Sequence, residues 1–131
     1  VKDSSYNLYE NLKIDNFSIL PGSESKLIKG LELGCAGIIT ATCNVTAGLS
    51  RKVYNDFVEN KEQTSNELLC NVRNTFEKFN LISGLHSFMS DADEIYKNVL
   101  PPISLLSKKN KQQLIEELNK LNFTLESLKV G

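Results

Sequence analysis

Residues 35–42 read Cys-Ala-Gly-Ile-Ile-Thr-Ala-Thr, a run that is apolar or small throughout. Such a run is typical of a β-strand that is buried on both faces. A shorter apolar run, residues 17–20, precedes it, and each run leads into a polar segment with helical spacing of its apolar residues. Strand followed by helix, repeated, predicts βαβ units and a parallel sheet. Val1 reads as the end of a third strand, which would place Lys2 at the rim where such sheets carry their chemistry.

Apolar residues at helical spacing, together with capping residues, predict helices over 6–13, 26–33, 47–59, 63–79, 84–90 and 108–121. Gly34 is expected to end the second helix, and Ser107 to cap the last. Asn44 or Thr46 is expected to cap the helix over 47–59. From residue 60 onward the pattern is helical without a strand.

Three short parallel strands cannot form an α/β domain of their own, because the open edges of the sheet would pair with other chains. The simplest arrangement is the last part of a closed barrel. The sequence therefore predicts an α/β fold in which residues 1–59 are the last three βα units of a TIM barrel and residues 60–131 are a C-terminal helical extension.

The composition is that of one globular domain. The chain has 131 residues, of which 40% are hydrophobic and 24% charged, and its formal net charge is −1. It therefore has no basic surface of the kind that binds nucleic acid, and no apolar run approaches the ~20 residues of a membrane span. Three cysteines without Cys-x-x-Cys spacing, and no charged-then-apolar leader, lead us to expect reduced thiols and a cytoplasmic protein. Because the chain starts with what reads as the tail of a strand, we expect it to be part of a longer protein.

Three motifs, in this order and spacing, carry a resemblance to a known family. They are Val-Lys-Asp-Ser-Ser at 1–5, Pro-Gly-Ser-Glu at 21–24 and Gly-Cys-Ala-Gly-Ile-Ile-Thr-Ala-Thr-Cys-Asn at 34–44. Together they resemble the dihydrodipicolinate synthase/N-acetylneuraminate lyase family. Those enzymes are (β/α)8-barrel aldolases that bind pyruvate or a related 2-oxo acid as a Schiff base. The resemblance covers strands six to eight of that barrel and the helical tail.

The resemblance implies roles for five residues. Lys2 matches the Schiff-base lysine on strand six and is the expected catalytic residue. Gly22-Ser23-Glu24 matches the loop after strand seven, which contacts the substrate beyond its pyruvate part. Gly22 and Ile39 match positions whose backbone touches the bound 2-oxo acid. Gly22-Ser23-Glu24 differs from the Gly-Asp-Asp of the lysine-pathway enzymes and the Gly-Tyr-Asp-Glu of sialic-acid lyases, and is nearer to aldolases for 2-keto-3-deoxy sugar acids or 4-hydroxy-2-oxoglutarate.

Each of these residues also has a simpler interpretation. Lys2 could be an ordinary solvated lysine, because lysine side chains are usually exposed. Gly22-Ser23-Glu24 could be a turn and helix cap, with Glu24 stabilised by the helix dipole. To attack a carbonyl, Lys2 must be a neutral amine, which requires a dry site that lowers its pKa. His86 is the single histidine, and no other metal-binding residues cluster near it in the sequence, so no metal site is expected.

The expected function is that of a class I, Schiff-base-forming aldolase, lyase or synthase acting on pyruvate or a related 2-oxo acid, with no cofactor. The family's catalytic Tyr and its Thr/Ser pair are not in this sequence, so the upstream half of the barrel or a neighbouring subunit must supply them. The resemblance also implies a homo-oligomer. The alternative is a non-catalytic or truncated half-barrel with an assembly or regulatory role. A third possibility is a helical interaction module over 60–131, whose Leu68, Val72 and Phe76 would line a partner surface.

Overall fold

The computed structural model describes residues 1–126. Within them, the strands are β1 (Lys2–Asp3) and β2 (Leu20–Pro21), and 3₁₀ turns span Glu24–Lys26 and Glu94–Lys97. The α-helices are α1 (Leu27–Glu32), α2 (Cys43–Val58), α3 (Asn66–Glu77), α4 (Leu81–Met89) and α5 (Lys108–Lys120). The chain divides into two compact units, Val1–Cys70 and Asn71–Gly131. The predicted boundary between barrel units and helical extension, at residues 59 and 60, falls just after α2 and stays a prediction.

The first two predicted strands form a short parallel pair. Lys2 pairs with Leu20 and Asp3 with Pro21. The backbone N–H of Leu20 donates to the carbonyl of Val1 at 2.9 Å, and that of Gly22 donates to the carbonyl of Asp3 at 2.9 Å. A strand is present at the start of the chain, but it spans Lys2–Asp3 and does not end at Val1 as expected. The second strand spans Leu20–Pro21, so it begins three residues later than the strand predicted over residues 17–20.

The strand predicted over residues 35–42 is wrong for the described chain. Residues 35–40 are without regular secondary structure. The N–H of Ile39 donates to the carbonyl of Pro21 at 3.1 Å, but no ladder of such bonds forms between this segment and β2. Its apolar composition satisfies the pattern of a buried strand, yet a strand also needs a paired neighbour along its length.

The helix predicted over residues 6–13 is also wrong, and the reason lies in the loop that replaces it. Tyr6 has a φ of 60°, in the left-handed region, and so interrupts any right-handed helix. The Asp3 carboxylate holds the loop by accepting from the backbone N–H groups of Tyr6, Leu8 and Tyr9 at 2.9, 2.9 and 3.0 Å. One turn remains at the end of the loop, where the N–H of Leu12 donates to the carbonyl of Leu8 at 2.8 Å.

The first unit packs around three fully buried side chains, Leu27 of α1, Val53 of α2 and Leu69 of α3. The prediction for α1 is confirmed, including its end at Gly34, whose φ of 88° favours glycine. Helix α2 begins at Cys43, earlier than predicted, because the N–H of Cys43 is capped by the hydroxyl of Thr40 at 3.1 Å. The predicted caps at Asn44 and Thr46 are therefore wrong, since both residues lie inside the helix.

The second unit has an aromatic core. Phe76 meets Phe88 edge to face with ring centroids 5.7 Å apart, and Phe88 stacks with Phe123 at 6.0 Å. Leu114 and Leu118 of α5 are fully buried, as the predicted amphipathic pattern requires. The predicted helices over 63–79, 84–90 and 108–121 are confirmed as α3, α4 and α5, with shifts of a few residues at their ends.

The Asp3 contacts predict an acid-dependent loss of stability. Burial alone would raise the pKa of Asp3, but the N–H groups of Tyr9, Leu8 and Tyr6 and the Ser5 hydroxyl together lower it below its usual 3.8. A carboxyl group whose pKa is lower in the folded chain than in the unfolded chain stabilises the folded state at pH values above its unfolded pKa. This contribution is lost as the pH falls through the pKa of the folded chain.

Asp3→Asn should therefore lower the free energy of unfolding at pH 7, because an amide offers one acceptor oxygen where the carboxylate offers two. The difference from the wild type, measured by urea denaturation, should shrink as the pH falls below the usual carboxyl pKa of 3.8. Asp15→Asn is the matched control, since Asp15 is exposed. A difference that stays constant with pH would contradict the assignment.

The cap of α5 can be tested separately. Ser107 accepts from the N–H of Asn110 at 3.2 Å through its side-chain oxygen. Ser107→Ala should lower the free energy of unfolding by about 1 kcal/mol, while Ser107→Asp, which keeps an acceptor, should cost much less. Equal losses for the two variants in urea denaturation would show that the hydroxyl is not the stabilising group.

Candidate active site around Lys2

Lys2 lies on the face of the β1–β2 pair that α1 does not cover. Successive side chains of a strand point to opposite faces. Pro21, which pairs with Asp3, packs against α1, where its Cγ lies 3.3 Å from a Cβ built on Gly30. Lys2 and its partner Leu20 therefore share the opposite face. In a barrel, the face opposite the helices is the interior.

The Lys2 side chain passes directly over Gly22. A Cβ built on Gly22 would stand 3.3 Å from Cε of Lys2, 3.4 Å from the carbonyl oxygen of Asp3 and 3.5 Å from Cα of Ser4. Glycine at this position thus leaves the space that the lysine occupies. The sequence-predicted catalytic residue and the first residue of the predicted loop are brought together.

Lys2 is nevertheless exposed in the described part of the chain. The dry surroundings expected for a lysine nucleophile are not supplied by residues 1–126 alone. The role of Lys2 as the Schiff-base lysine therefore stays a prediction.

Ile39 lies in the stretch 35–40 and is joined to the end of β2 by one backbone hydrogen bond. Ile38 packs against the core of the first unit, whereas Ile39 is 49% exposed and Thr40 is buried again. The N–H of Ile39 already donates a hydrogen bond to the carbonyl of Pro21. The predicted backbone contact with a 2-oxo acid would have to involve other atoms of the Ile39 backbone, and it stays a prediction.

Ser23 and Glu24 are buried among residues of their own chain. Ser23 is 2% exposed, and its hydroxyl accepts from the N–H of Ser25 as the cap of the 3₁₀ turn. Glu24 is fully buried, and its Oε1 accepts from the hydroxyls of Thr40 at 2.7 Å and Thr46 at 3.0 Å, and also from that of Thr42. The capping interpretation of this turn is confirmed for Ser23. The substrate contacts predicted for Ser23 and Glu24 stay predictions.

Two residues next to the site were missed by the sequence reasoning. Asp3 follows Lys2 directly and holds the loop over 4–9 through three backbone N–H groups. An Asp followed by serines and an Asn is a pattern typical of side-chain-stabilised turns, so a signal was present. Thr46 joins Glu24 from within α2, and nothing local in the sequence indicates that contact.

Outside the surroundings of Lys2, the reactive or metal-binding side chains of residues 1–126 include one histidine and three cysteines. No group of three or more His, Cys, Asp or Glu side chains there could hold a metal ion. His86 uses its Nδ1 in a 2.8 Å hydrogen bond with the carbonyl of Tyr96. Cys35, Cys43 and Cys70 are free thiols, and burial raises the pKa of Cys35 and of Cys70. No helix in this range is both long and apolar enough to span a bilayer.

Solved structures show which known fold this arrangement matches. The chain superposes on the dihydrodipicolinate synthase of Aquifex aeolicus with a TM-score of 0.81 and 20% identity, over 95% of this chain and 45% of that one. For the enzyme of Agrobacterium tumefaciens the TM-score is 0.73 at 22% identity, over 92% and 42%. For a prophage protein of the dihydrodipicolinic acid synthase family from E. coli K12, in complex with pyruvate, it is 0.63 at 22%, over 82% and 38%.

These likenesses show that the chain has the fold of part of a dihydrodipicolinate synthase, and that it spans less than half the length of these three relatives. None of the curated protein sequences matches it. A sequence profile of the dihydrodipicolinate synthetase family, however, matches residues 1–121, nearly the whole chain. The resemblance seen in the motifs is thereby confirmed, and the chain belongs to the dihydrodipicolinate synthetase family.

Proposed function

We propose that this chain supplies the Schiff-base lysine of a class I aldolase, lyase or synthase that acts on pyruvate or a related 2-oxo acid. The observation that carries the proposal is the position of Lys2, which pairs with Leu20 in the β1–β2 pair and has its side chain laid across Gly22. Family membership supports a pyruvate-dependent chemistry. One solved relative was crystallised in complex with pyruvate.

The chemistry of the proposed step follows from the amine. The neutral Nζ of Lys2 adds to the C2 carbonyl of the 2-oxo acid, the resulting carbinolamine takes up a proton and loses water, and a protonated imine forms. The protonated imine accepts the electron pair released when a bond to C3 breaks and becomes an enamine, and the enamine provides that pair when the bond forms. The turn at Gly22 and the backbone at Ile39 would border the bound acid, because both lie beside β2 on the strand ends that carry Lys2.

The proposal requires partners beyond residues 1–126. Because Lys2 is exposed here, other barrel strands must cover it to exclude water and lower its pKa. We propose that the upstream half of the barrel provides this cover together with the family's catalytic Tyr and Thr/Ser pair, in a homo-oligomer. A reaction on 2-keto-3-deoxy sugar acids or 4-hydroxy-2-oxoglutarate fits the Gly22-Ser23-Glu24 turn, whereas a dihydrodipicolinate synthase-like reaction is supported by the family alone. A cytoplasmic location stays a prediction.

A non-catalytic half-barrel is the second candidate, and the exposure of Lys2 favours it. In that case the chain would serve assembly or regulation without forming an imine. A helical interaction module that displays Leu68, Val72 and Phe76 to a partner is disfavoured, because Val72 and Phe76 are fully buried in the chain and Leu68 is half-buried.

Trapping with borohydride distinguishes the first two candidates. Incubation of the chain, together with the segment that completes the barrel, with pyruvate and borohydride should add the mass of a reduced pyruvate imine at Lys2, located by peptide mass spectrometry. Lys2→Arg should abolish the adduct, since a guanidinium is not a nucleophile at neutral pH. Lys13→Arg, a change at an exposed lysine, should leave it unchanged. A complete barrel that forms no adduct would establish the non-catalytic candidate.

The contact between Lys2 and Gly22 gives a second prediction. Gly22→Ala places a methyl group 3.3 Å from Cε of Lys2, so the side chain must shift, and imine trapping should slow roughly tenfold or more. The matched control is Gly48→Ala in α2, where a Cβ meets nothing within 4 Å. That control should trap at the wild-type rate and raise the free energy of unfolding by about 0.5–1 kcal/mol, because alanine favours a helix over glycine. Equal trapping by the two variants would remove the role assigned to Gly22.

A further inference from the structure

Glu24 stands two residues after Gly22, at the start of the 3₁₀ turn Glu24–Lys26, and its side chain is fully buried. A buried carboxylate is costly unless hydrogen bonds satisfy it. Here three threonine hydroxyls donate to one of its oxygens, and they come from Thr40, Thr42 and Thr46. Hydrogen bonds to an ionised acceptor are about twice as strong as bonds between neutral groups.

The three threonines belong to two different segments. Thr40 and Thr42 lie at the end of the extended stretch that contains Ile39, and Thr46 lies in the first turn of α2. Glu24 therefore ties the turn after β2 to both the extended stretch and the helix that follows it. The same cluster starts the helix, because the Thr40 hydroxyl also accepts from the N–H of Cys43.

This cluster takes the place of a strand ladder. Among the described residues, one backbone hydrogen bond joins the stretch 35–40 to β2, from the N–H of Ile39 to the carbonyl of Pro21. A strand pair of ordinary length would have several. The hydroxyl contacts to Glu24 therefore carry much of the positioning of Ile39 relative to Gly22.

From this geometry we infer that Glu24 is a positioning residue, which holds the Gly22 turn and the Ile39 backbone at the spacing that a 2-oxo acid on Lys2 requires. It acts through the threonine hydroxyls and does not itself touch the substrate. This inference rests on the proposed function. It assigns Glu24 a different task from the substrate contact that the family resemblance implies.

The first readout does not depend on any activity. Hydrogen exchange of the Ile39 amide reports on the bond to Pro21, and Glu24→Gln and Thr46→Val should each speed it roughly tenfold or more by favouring local opening. Thr46→Ser keeps the hydroxyl and should restore slow exchange. Glu32→Gln, the same chemical change at an exposed position, should have no effect. Unchanged exchange in both Glu24→Gln and Thr46→Val would overturn the inference.

The second readout is borohydride trapping of pyruvate at Lys2 in the complete barrel. Misplaced pocket walls weaken binding but leave the amine intact, so the half-saturating pyruvate concentration should rise roughly tenfold while the limiting trapping rate changes little. Thr46→Val should behave like Glu24→Gln, because both break the same cluster. A loss seen with Glu24→Gln and not with Thr46→Val would mean that Glu24 touches the substrate, and would overturn the positioning role. If the wild type forms no adduct, the proposed function fails and the positioning of a 2-oxo acid falls with it, whereas the exchange result separately decides whether Glu24 holds Ile39.

Discussion

The hydrogen bonds that the Asp3 carboxylate accepts from the loop over residues 4–9 hold the candidate site together. Strand β1 has only two residues, so its pairing with β2 fixes Lys2 weakly. The Asp3 carboxylate accepts hydrogen bonds from three backbone N–H groups of the residues that follow it, and so holds this loop against the end of β1. Moving the loop would break charge-assisted hydrogen bonds to the buried Asp3 carboxylate, and Lys2 immediately precedes Asp3 in the chain. The direction of the lysine side chain depends on that anchor.

Glu24 holds the segments around β2 through hydrogen bonds to its carboxylate, as Asp3 holds the loop that follows β1. Both are buried carboxylates, and most of the groups that donate hydrogen bonds to them lie outside helices and strands. A buried carboxylate with a full set of donors defines position more strictly than apolar contacts, because a small displacement leaves a charged group unsatisfied. The site is thus built on polar anchors beside a short sheet, with the apolar core of α1 and α2 behind them.

The sequence predicted the helices better than the strands, for a physical reason. The periodic apolar residues of α3 and the serine cap of α5 are local signals, complete within a few residues of chain. The run at 35–42 had the composition of a buried strand, but whether an extended segment becomes a strand depends on a neighbour elsewhere in the chain. The helix predicted over residues 6–13 did not form for a related reason. Its apolar spacing suited a helix, while the left-handed backbone of Tyr6 and the carboxylate of Asp3 impose another path.

By itself, the sequence determined the family, the order of the motifs and the residue types at Lys2, Gly22 and Ile39, because these features are visible directly in the linear sequence. Only the tertiary structure decided that Lys2 lies over Gly22, and that Glu24 is buried. The reason is the distance along the chain between the groups involved. The threonine hydroxyls that hold Glu24 are 16, 18 and 22 residues away in sequence, and their convergence on one oxygen depends on how the turn, the extended stretch and α2 pack together.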